Sequence, residues 1–290
     1  NNHYSYLNFA ESIVIEATPE HNFMPRASDI ELFIKEATLV ALCSPQNPTG
    51  TIFTKEGLSE ICDVIIAENK RRGPDEKPVY LMYDQIYWAL TFGDNKHYNP
   101  VSLNPEMKPY TVFVDGISKS LSATGVRVGW SMGPKLIIDK MKAILTHVGA
   151  WAPKAEQVAT AKYLADLKLY DAFIVEQKKQ IIARLDGFYK GFQLLKNEGF
   201  KVDAITPQAA IYLTIKFDLH GLKTTEGIEL KTTKDITKYI LDEAKLAVVP
   251  FYCFGADDNS PWYRMSVGTC KVSDVEHVIN GLRNALKKLS

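Results

Sequence analysis

The sequence has 290 residues, 46% of them apolar, with thirty-four basic and thirty-four acidic side chains and a formal net charge of zero. That length and apolar content allow a substantial core and leave room for two domains. The balanced, well-mixed charge gives no nucleic-acid footprint, and with no apolar run of about eighteen residues and no basic-then-apolar start, neither a membrane span nor a signal peptide is read. The four cysteines, Cys43, Cys62, Cys253 and Cys270, form no Cys-x-x-Cys pair and lie mostly in apolar runs. They read as buried thiols of a reducing compartment, which makes a cytoplasmic location the expectation and gives no metal site.

In chain order, residues 12–18 predict a strand, and residues 28–36 a helix capped by Ser28 with acidic residues in its first turn. Residues 39–43 form a short apolar run, read as a buried strand that delivers residues 44–50 to a loop rich in proline and glycine. From Thr54, a helix with Leu58, Ile61, Cys62, Ile65 and Ile66 on one face runs to the stop at Gly73-Pro74. A strand over 79–83 ends on Asp84, and another over 111–114 leads into Asp115-Gly116-Ile117-Ser118-Lys119. Helices follow over 134–147, 155–167 and 170–197, the last long enough to bridge two lobes. Strands over 200–202, 210–217, 246–249 and 262–267, with helices over 233–244 and 273–289, suggest a smaller α+β lobe. Residues 224–233, mixed in Thr, Glu, Gly and Lys, are the expected mobile loop. Strands alternating with helices in the first half predict an α/β fold, a mostly parallel sheet with helices on both faces. Ligands of such sheets bind beyond the carboxyl ends of the strands. Asn47, Asp84 and Lys119 each follow a predicted strand, so one site could receive all three.

Lys119 stands in a stretch otherwise short of charge. An amine near apolar surface and another cation loses stabilisation of its charged form, so a nucleophilic fraction exists near neutral pH, as Schiff-base chemistry requires. Arg127, eight residues on, carries a permanent charge on a planar fork suited to phosphate oxygens. A lysine for an aldehyde and an arginine for a phosphate point to pyridoxal phosphate. By themselves, Ser-Lys-Ser in a turn also fits a solvated loop, and the residues after Arg127 an ordinary strand. Asp84, at the end of a buried strand, needs a partner or a proton; a protonated pyridine nitrogen is one such partner, and a capped turn is the plainer reading. Arg264 lies within the apolar strand 262–267 and needs an anion, either a substrate carboxylate or an acid such as Asp257 or Asp258.

The order Asn47-Pro48-Thr49-Gly50, Asp84-Gln85-Ile86-Tyr87, Ser118-Lys119 with Arg127 eight residues on, and Tyr263-Arg264-Met265-Ser266 resembles the class I/II aminotransferases. These are fold-type I pyridoxal-phosphate-dependent enzymes of the aspartate-aminotransferase kind, and the resemblance runs from the first residues to the last helix. It implies a transaminase that moves an amino group between an L-amino acid and a 2-oxo acid, with pyridoxal 5'-phosphate held by Lys119 as an internal aldimine. By the same resemblance Asp84 pairs with the ring nitrogen, Tyr87 and Asn47 with the phenolic oxygen, Ser118 and Arg127 with the phosphate, and Arg264 with the substrate α-carboxylate. His3 resembles a histidine that orients the ring-nitrogen aspartate. Lys154 falls where relatives recognise the substrate side chain; a distal carboxylate and plain solvent both fit it.

The family's serine at position 116 is replaced by glycine, which removes one phosphate contact or passes it to a backbone N–H. Asn1-Asn2-His3-Tyr4 looks like the tail of an internal Trp-x-Asn-His segment. The chain is therefore expected to begin inside the large domain, with the family's cofactor-stacking aromatic and a phosphate-holding turn lying before Asn1. A partial large domain over 1–168, an interdomain helix with a small domain over 169–290, and a homodimer are implied. The same motifs serve β-elimination or synthase chemistry, and a non-catalytic fragment or binding protein of this fold is the remaining alternative.

Overall fold

A computed structural model describes residues 11–290. The chain divides into two compact units, one built from Ala17–Gln46 and Thr51–Lys178, the other including Asn47–Gly50 and Lys179–Ser290.

The first unit begins with helix α1 (Ala27–Glu31), strand β1 (Leu39–Cys43), helix α2 (Lys55–Arg72) and strand β2 (Tyr80–Asp84). After the short helix α3 (Pro100–Leu103) come strand β3 (Thr111–Gly116), helix α4 (Ile117–Ser120) and strand β4 (Gly129–Met132). Helices α5 (Lys135–Val148) and α6 (Lys154–Ala165) follow, and then α7 (Leu167–Asn197), whose residues are shared between the two units. The sheet order is β1-β2-β3-β4, with β1, β2 and β3 parallel and β4 antiparallel to β3. This is the mostly parallel α/β arrangement expected.

Helix α2 forms as the sequence predicts: the Thr54 hydroxyl accepts from Gly57 N at 3.0 Å, Gly73 ends the helix with φ 65°, and Leu58, Ile61, Cys62 and Ile65 are wholly buried. Helix α1 differs from its expected bounds and cap. Arg26 is the cap, its backbone N–H donating to the Asp29 carboxylate at 2.9 Å while its guanidinium holds the same carboxylate at 2.7 Å. The acid at the third helical position reaches back to the cap, and Ser28 lies inside the helix. Residues 12–18 carry no strand, and Ile13 and Val14 are about half exposed. A strand needs a partner, and among the described residues β1 pairs only with β2. Of the four thiols expected to be buried, Cys62 is, Cys43 and Cys270 are half-buried, and Cys253 is exposed.

The other unit carries β5 (Val202–Ala204), β6 (Tyr212–Phe217), helix α8 (Thr233–Ala244), β7 (Val249–Pro250), β8 (Trp262–Ser266) and helix α9 (Asp274–Leu286). Its strands run in the order β5-β6-β8-β7 and every pair is antiparallel, the α+β pattern. Phe217 forms its aromatic centre, tilted against Phe192 at 5.8 Å and edge-on to Tyr263 at 5.3 Å. Helix α9 lies so close to α7 that a Cβ on Gly191 would meet Ile279 Cγ1 at 2.5 Å. The 224–233 loop is tied by its own backbone, with a Lys223–Glu229 bridge and Leu230 N donating to Leu222 O at 2.8 Å.

A buried ion pair pins the first unit. The Arg72 guanidinium donates to Glu68 Oε1 at 2.7 Å and to the carbonyls of Ile34, Lys35, Ala37 and Lys77. Arg71 adds two bonds of 2.8 Å to the same carboxylate. The hydrogen bonds from Arg71, joined by those from Arg72 and opposed by burial, hold the Glu68 carboxyl down at about 2. A carboxyl depressed on folding stabilises above its unfolded value of about 4.3, and the contribution is lost as pH falls through the folded value. Urea unfolding at several pH values should therefore find Glu68→Gln less stable at pH 7 by about 3 kcal/mol, the gap closing between about pH 4.5 and 2.

Candidate active site

Within the first unit, parallel pairing sets Cys43 opposite Asp84 and Asp84 opposite Val114. β1 and β2 thereby end level, β3 runs two residues further to Gly116, and the turns leaving β2 and β3 start from one edge of the sheet. Asp84 closes β2, where its carbonyl accepts from Ser44 N at 3.0 Å and its side chain accepts from Ile86 N at 3.0 Å. Burial pushes its carboxyl above the usual range, the Ile86 N–H only partly offsetting it. Tyr87 is buried one turn later, and the Lys119 ammonium lies 5.8 Å from its ring centroid. Ser118 and Lys119 sit half-buried on α4 directly after β3.

Gly116 has a steric reason. A Cβ there would stand 2.9 Å from both Gly129 Cα and Val128 O, because β3 and β4 meet at the Gly116–Gly129 pair. A serine cannot enter without opening that pair. Arg127 occupies the left-handed region, φ 60°, at an exposed position of the same unit, where its guanidinium donates to Thr124 O at 2.8 Å. Lys154 begins α6, exposed, on a shallow surface with Ala155, Val158 and Lys162. His3 lies outside the described residues.

Asn47 and Arg264 belong to the other unit, and the structure brings them together. Arg264 Nη1 donates to Asn47 Oδ1 at 2.8 Å across 217 positions of sequence. The guanidinium carbon lies 4.8 Å from the ring centroids of both Tyr212 and Phe254. Such stacking lets a cation leave water without a counter-ion. Among the described residues no carboxylate reaches ion-pair distance of Arg264, so Asp257 and Asp258 are not its partners. The turn carrying Asn47 is held by Thr214 Oγ1 donating to Thr49 O at 2.8 Å and by Ala209 N donating to Gly50 O at 2.9 Å. Gly50, at φ 71°, has no room for a side chain, since its Cβ would fall 2.4 Å from Tyr212 O.

Sequence reasoning missed the residues around these groups. Gln85 and Asp115, both buried, face each other at 3.4 Å just behind Asp84 and Lys119. Burial raises the Asp115 carboxyl, and Asp84 adds to the effect. Tyr212 and Phe254 carry no signal in the sequence, and the nearby arginine gives them their role. His97, against the Tyr83 ring at 5.9 Å, is pushed down to about 4 by burial and stays neutral at pH 7.

The family model for aminotransferases of classes I and II matches residues 2–282. The chain belongs to the class I and II aminotransferase family. Members of this family depend on pyridoxal phosphate, and the fold is that of the fold-type I enzymes. An aspartate aminotransferase of Geobacillus stearothermophilus is 32% identical over 250 residues, 85% of this chain and 58% of that protein. A probable aspartate/prephenate aminotransferase of Rickettsia felis is 30% identical over 268 residues, 91% of this chain and 60% of its own length. The crystal structure of the aspartate aminotransferase of Rhizobium meliloti matches with a TM-score of 0.84 and 25% identity, over 96% of this chain and 65% of that one. The chain thus spans about three fifths of the length of these curated relatives.

Because burial raises the Asp84 carboxyl, its charge costs stability above the folded value, and the cost fades as pH falls and the group takes a proton. Without cofactor, Asp84→Asn should unfold at the same or a higher urea concentration at pH 7, gaining up to about 1 kcal/mol, with the gain shrinking on acidification.

Proposed function

We propose that this aminotransferase-family chain performs pyridoxal-phosphate-dependent transamination between an L-amino acid and a 2-oxo acid. The observation that carries the reading is the pair formed by Asp84 and the Lys119 turn at the carboxyl ends of adjacent parallel strands. The residues of the first unit fit the cofactor chemically. Asp84 is a half-buried carboxyl whose charge is only partly compensated, the need that a protonated ring nitrogen would meet. Tyr87 offers a hydroxyl, and the Lys119 amine lies over its ring. Ser118 and Arg127 are the phosphate donors, with the backbone N–H groups of the turn in place of the missing serine.

When bound, pyridoxal phosphate supplies an electron-poor ring that accepts the electron pair left when the substrate α-proton departs. Asp84 would keep the proton on the ring nitrogen and Tyr87 would donate to the phenolic oxygen, a role that the family resemblance also gives Asn47. Lys119 Nζ would take the proton from the substrate α-carbon as base and hold it as the ammonium, the acid for the return step. Arg264 grips the α-carboxylate with the donors that Asn47 leaves to it, its stacked guanidinium needing little reordering. The names of the relatives favour a dicarboxylic donor such as aspartate, and Lys154 is the candidate for its distal carboxylate. A cytoplasmic homodimer is part of the same proposal, supported by four cysteines that form no disulfide among the described residues and by exposed apolar side chains such as Leu136, Ile144 and Val148 on α5. Among the described residues no helix is long and apolar enough to cross a membrane.

The test is amino transfer from a panel of L-amino acids to 2-oxoglutarate or oxaloacetate. Transfer that requires the keto acid and falls by roughly a thousand-fold in Lys119→Ala is expected. Arg264→Lys should raise the KM for the amino acid roughly ten- to a hundred-fold, since the lysine loses both the fork and the stacking. Multiple turnovers of product release without a keto acid, or undiminished transfer in Lys119→Ala, would contradict the proposal.

A further inference from the structure

Gln177 lies on α7, within the first unit and far in sequence from the lysine turn. Its side-chain amide Nε2 donates to Lys119 O at 2.9 Å and to Ser122 Oγ at 2.8 Å. The orientation of the amide follows from chemistry. A backbone carbonyl can only accept, so the nitrogen must face Lys119, and Gln177 Oε1 is left buried without a partner among the described residues.

The turn needs an external hold. Most of its own bonds are long: Ile117 N to Val128 O is 3.3 Å, Ser122 N to Lys119 O 3.2 Å, Ala123 N to Ile117 O 3.4 Å, and Ser120 Oγ to Gly116 O 3.3 Å, with Leu121 N to Ile117 O and Thr124 Oγ1 to Ser118 O each at 3.1 Å. Ser122 stands at φ 51°, a left-handed conformation that a residue with a side chain adopts at some cost. The two bonds from Gln177 are shorter than these, and they fall on the lysine's own carbonyl and on the strained residue three positions later. Tyr87 faces the ammonium, Val128 and Gly116 supply backbone, and among the described residues Gln177 is the one side chain outside 117–127 that hydrogen-bonds residues 117–122.

We infer that Gln177 is a positioning residue for Lys119, clamping the carbonyl of the reactive lysine and the left-handed Ser122 so that the amine is presented in one place. The inference rests on the proposed role of Lys119. Placement matters because a shift of about 1 Å at a reacting group costs on the order of a hundred-fold in rate. Gln177 is the second-last residue of the first unit before α7 continues into the other. The clamp therefore ties the lysine turn to the helix that both units share.

Two readouts test this, the first without cofactor. Amide hydrogen exchange of residues 120–123 should speed up about ten-fold or more in Gln177→Leu relative to the unaltered chain. Gln177→Glu keeps the shape and donates only when protonated. Its exchange should match the unaltered chain at pH 4 and approach that of Gln177→Leu at pH 7, after correction for intrinsic rates. The second readout is the rate of borohydride-trapped pyridoxal phosphate incorporation at Lys119 relative to the other lysines, mapped by mass. Gln177→Leu should lower that ratio about ten-fold, which a merely stabilising tie would not do. Unchanged exchange at 120–123, a Gln177→Glu variant without pH dependence, or an unchanged Lys119 ratio would each overturn the clamp. If the unaltered chain incorporates nothing at Lys119, the proposed function fails, and the exchange result alone decides whether Gln177 holds the turn.

Discussion

The parallel register of β1, β2 and β3 is the constraint on which the first unit depends. Cys43, Asp84 and Val114 lie side by side, so the segments leaving the strands begin at one edge of the sheet, that of β3 two residues further on. Backbone pairing does this without side-chain contribution, and it fixes where a half-buried carboxyl and a lysine-bearing turn emerge. Asp84 accepts its charge penalty there because the ladder leaves it nowhere else to go. Such a penalty is tolerated where a function uses it.

Close backbone approach is the second constraint, and it explains a departure from the family pattern. The Gly116–Gly129 pair brings β3 and β4 within reach of a missing Cβ, so the serine expected at 116 has no space. Gly50 plays the same part in the other unit, allowing the Asn47 turn to rest against the Tyr212 carbonyl. With Asn47 held there, Arg264 has a neutral hydrogen-bond partner and two aromatic faces, which shelter the guanidinium while leaving its charge unanswered. A structural arginine is built differently. Arg72 has a carboxylate and four carbonyls around it.

Much of this was legible in the sequence because the signals were local. The strand at 39–43, the helix starting after Thr54 and the helix at 233–244 follow from apolar period, caps and stops. Residues 12–18 have the composition of a strand and no partner to pair with, a failure no local pattern reveals. The cap of α1 was misplaced because an arginine is a poor cap by type and becomes one through Asp29. Asp84, Lys119 and Arg264 stood out as charges in apolar surroundings. Gln85, Asp115 and Gln177 did not, since a polar residue on a helix or at a strand end reads as solvated until its partner, thirty to fifty-eight positions away, is known.

The account stands or falls on Lys119 as the reactive amine. The most direct measurement is to incubate the protein with pyridoxal 5'-phosphate, reduce with borohydride and map the modified peptide. The account predicts a single stoichiometric adduct on Lys119, with a visible absorption band before reduction that is absent in Lys119→Ala. Modification scattered over exposed lysines such as Lys135, Lys154 and Lys238, with Lys119 no more reactive than they are, would contradict it.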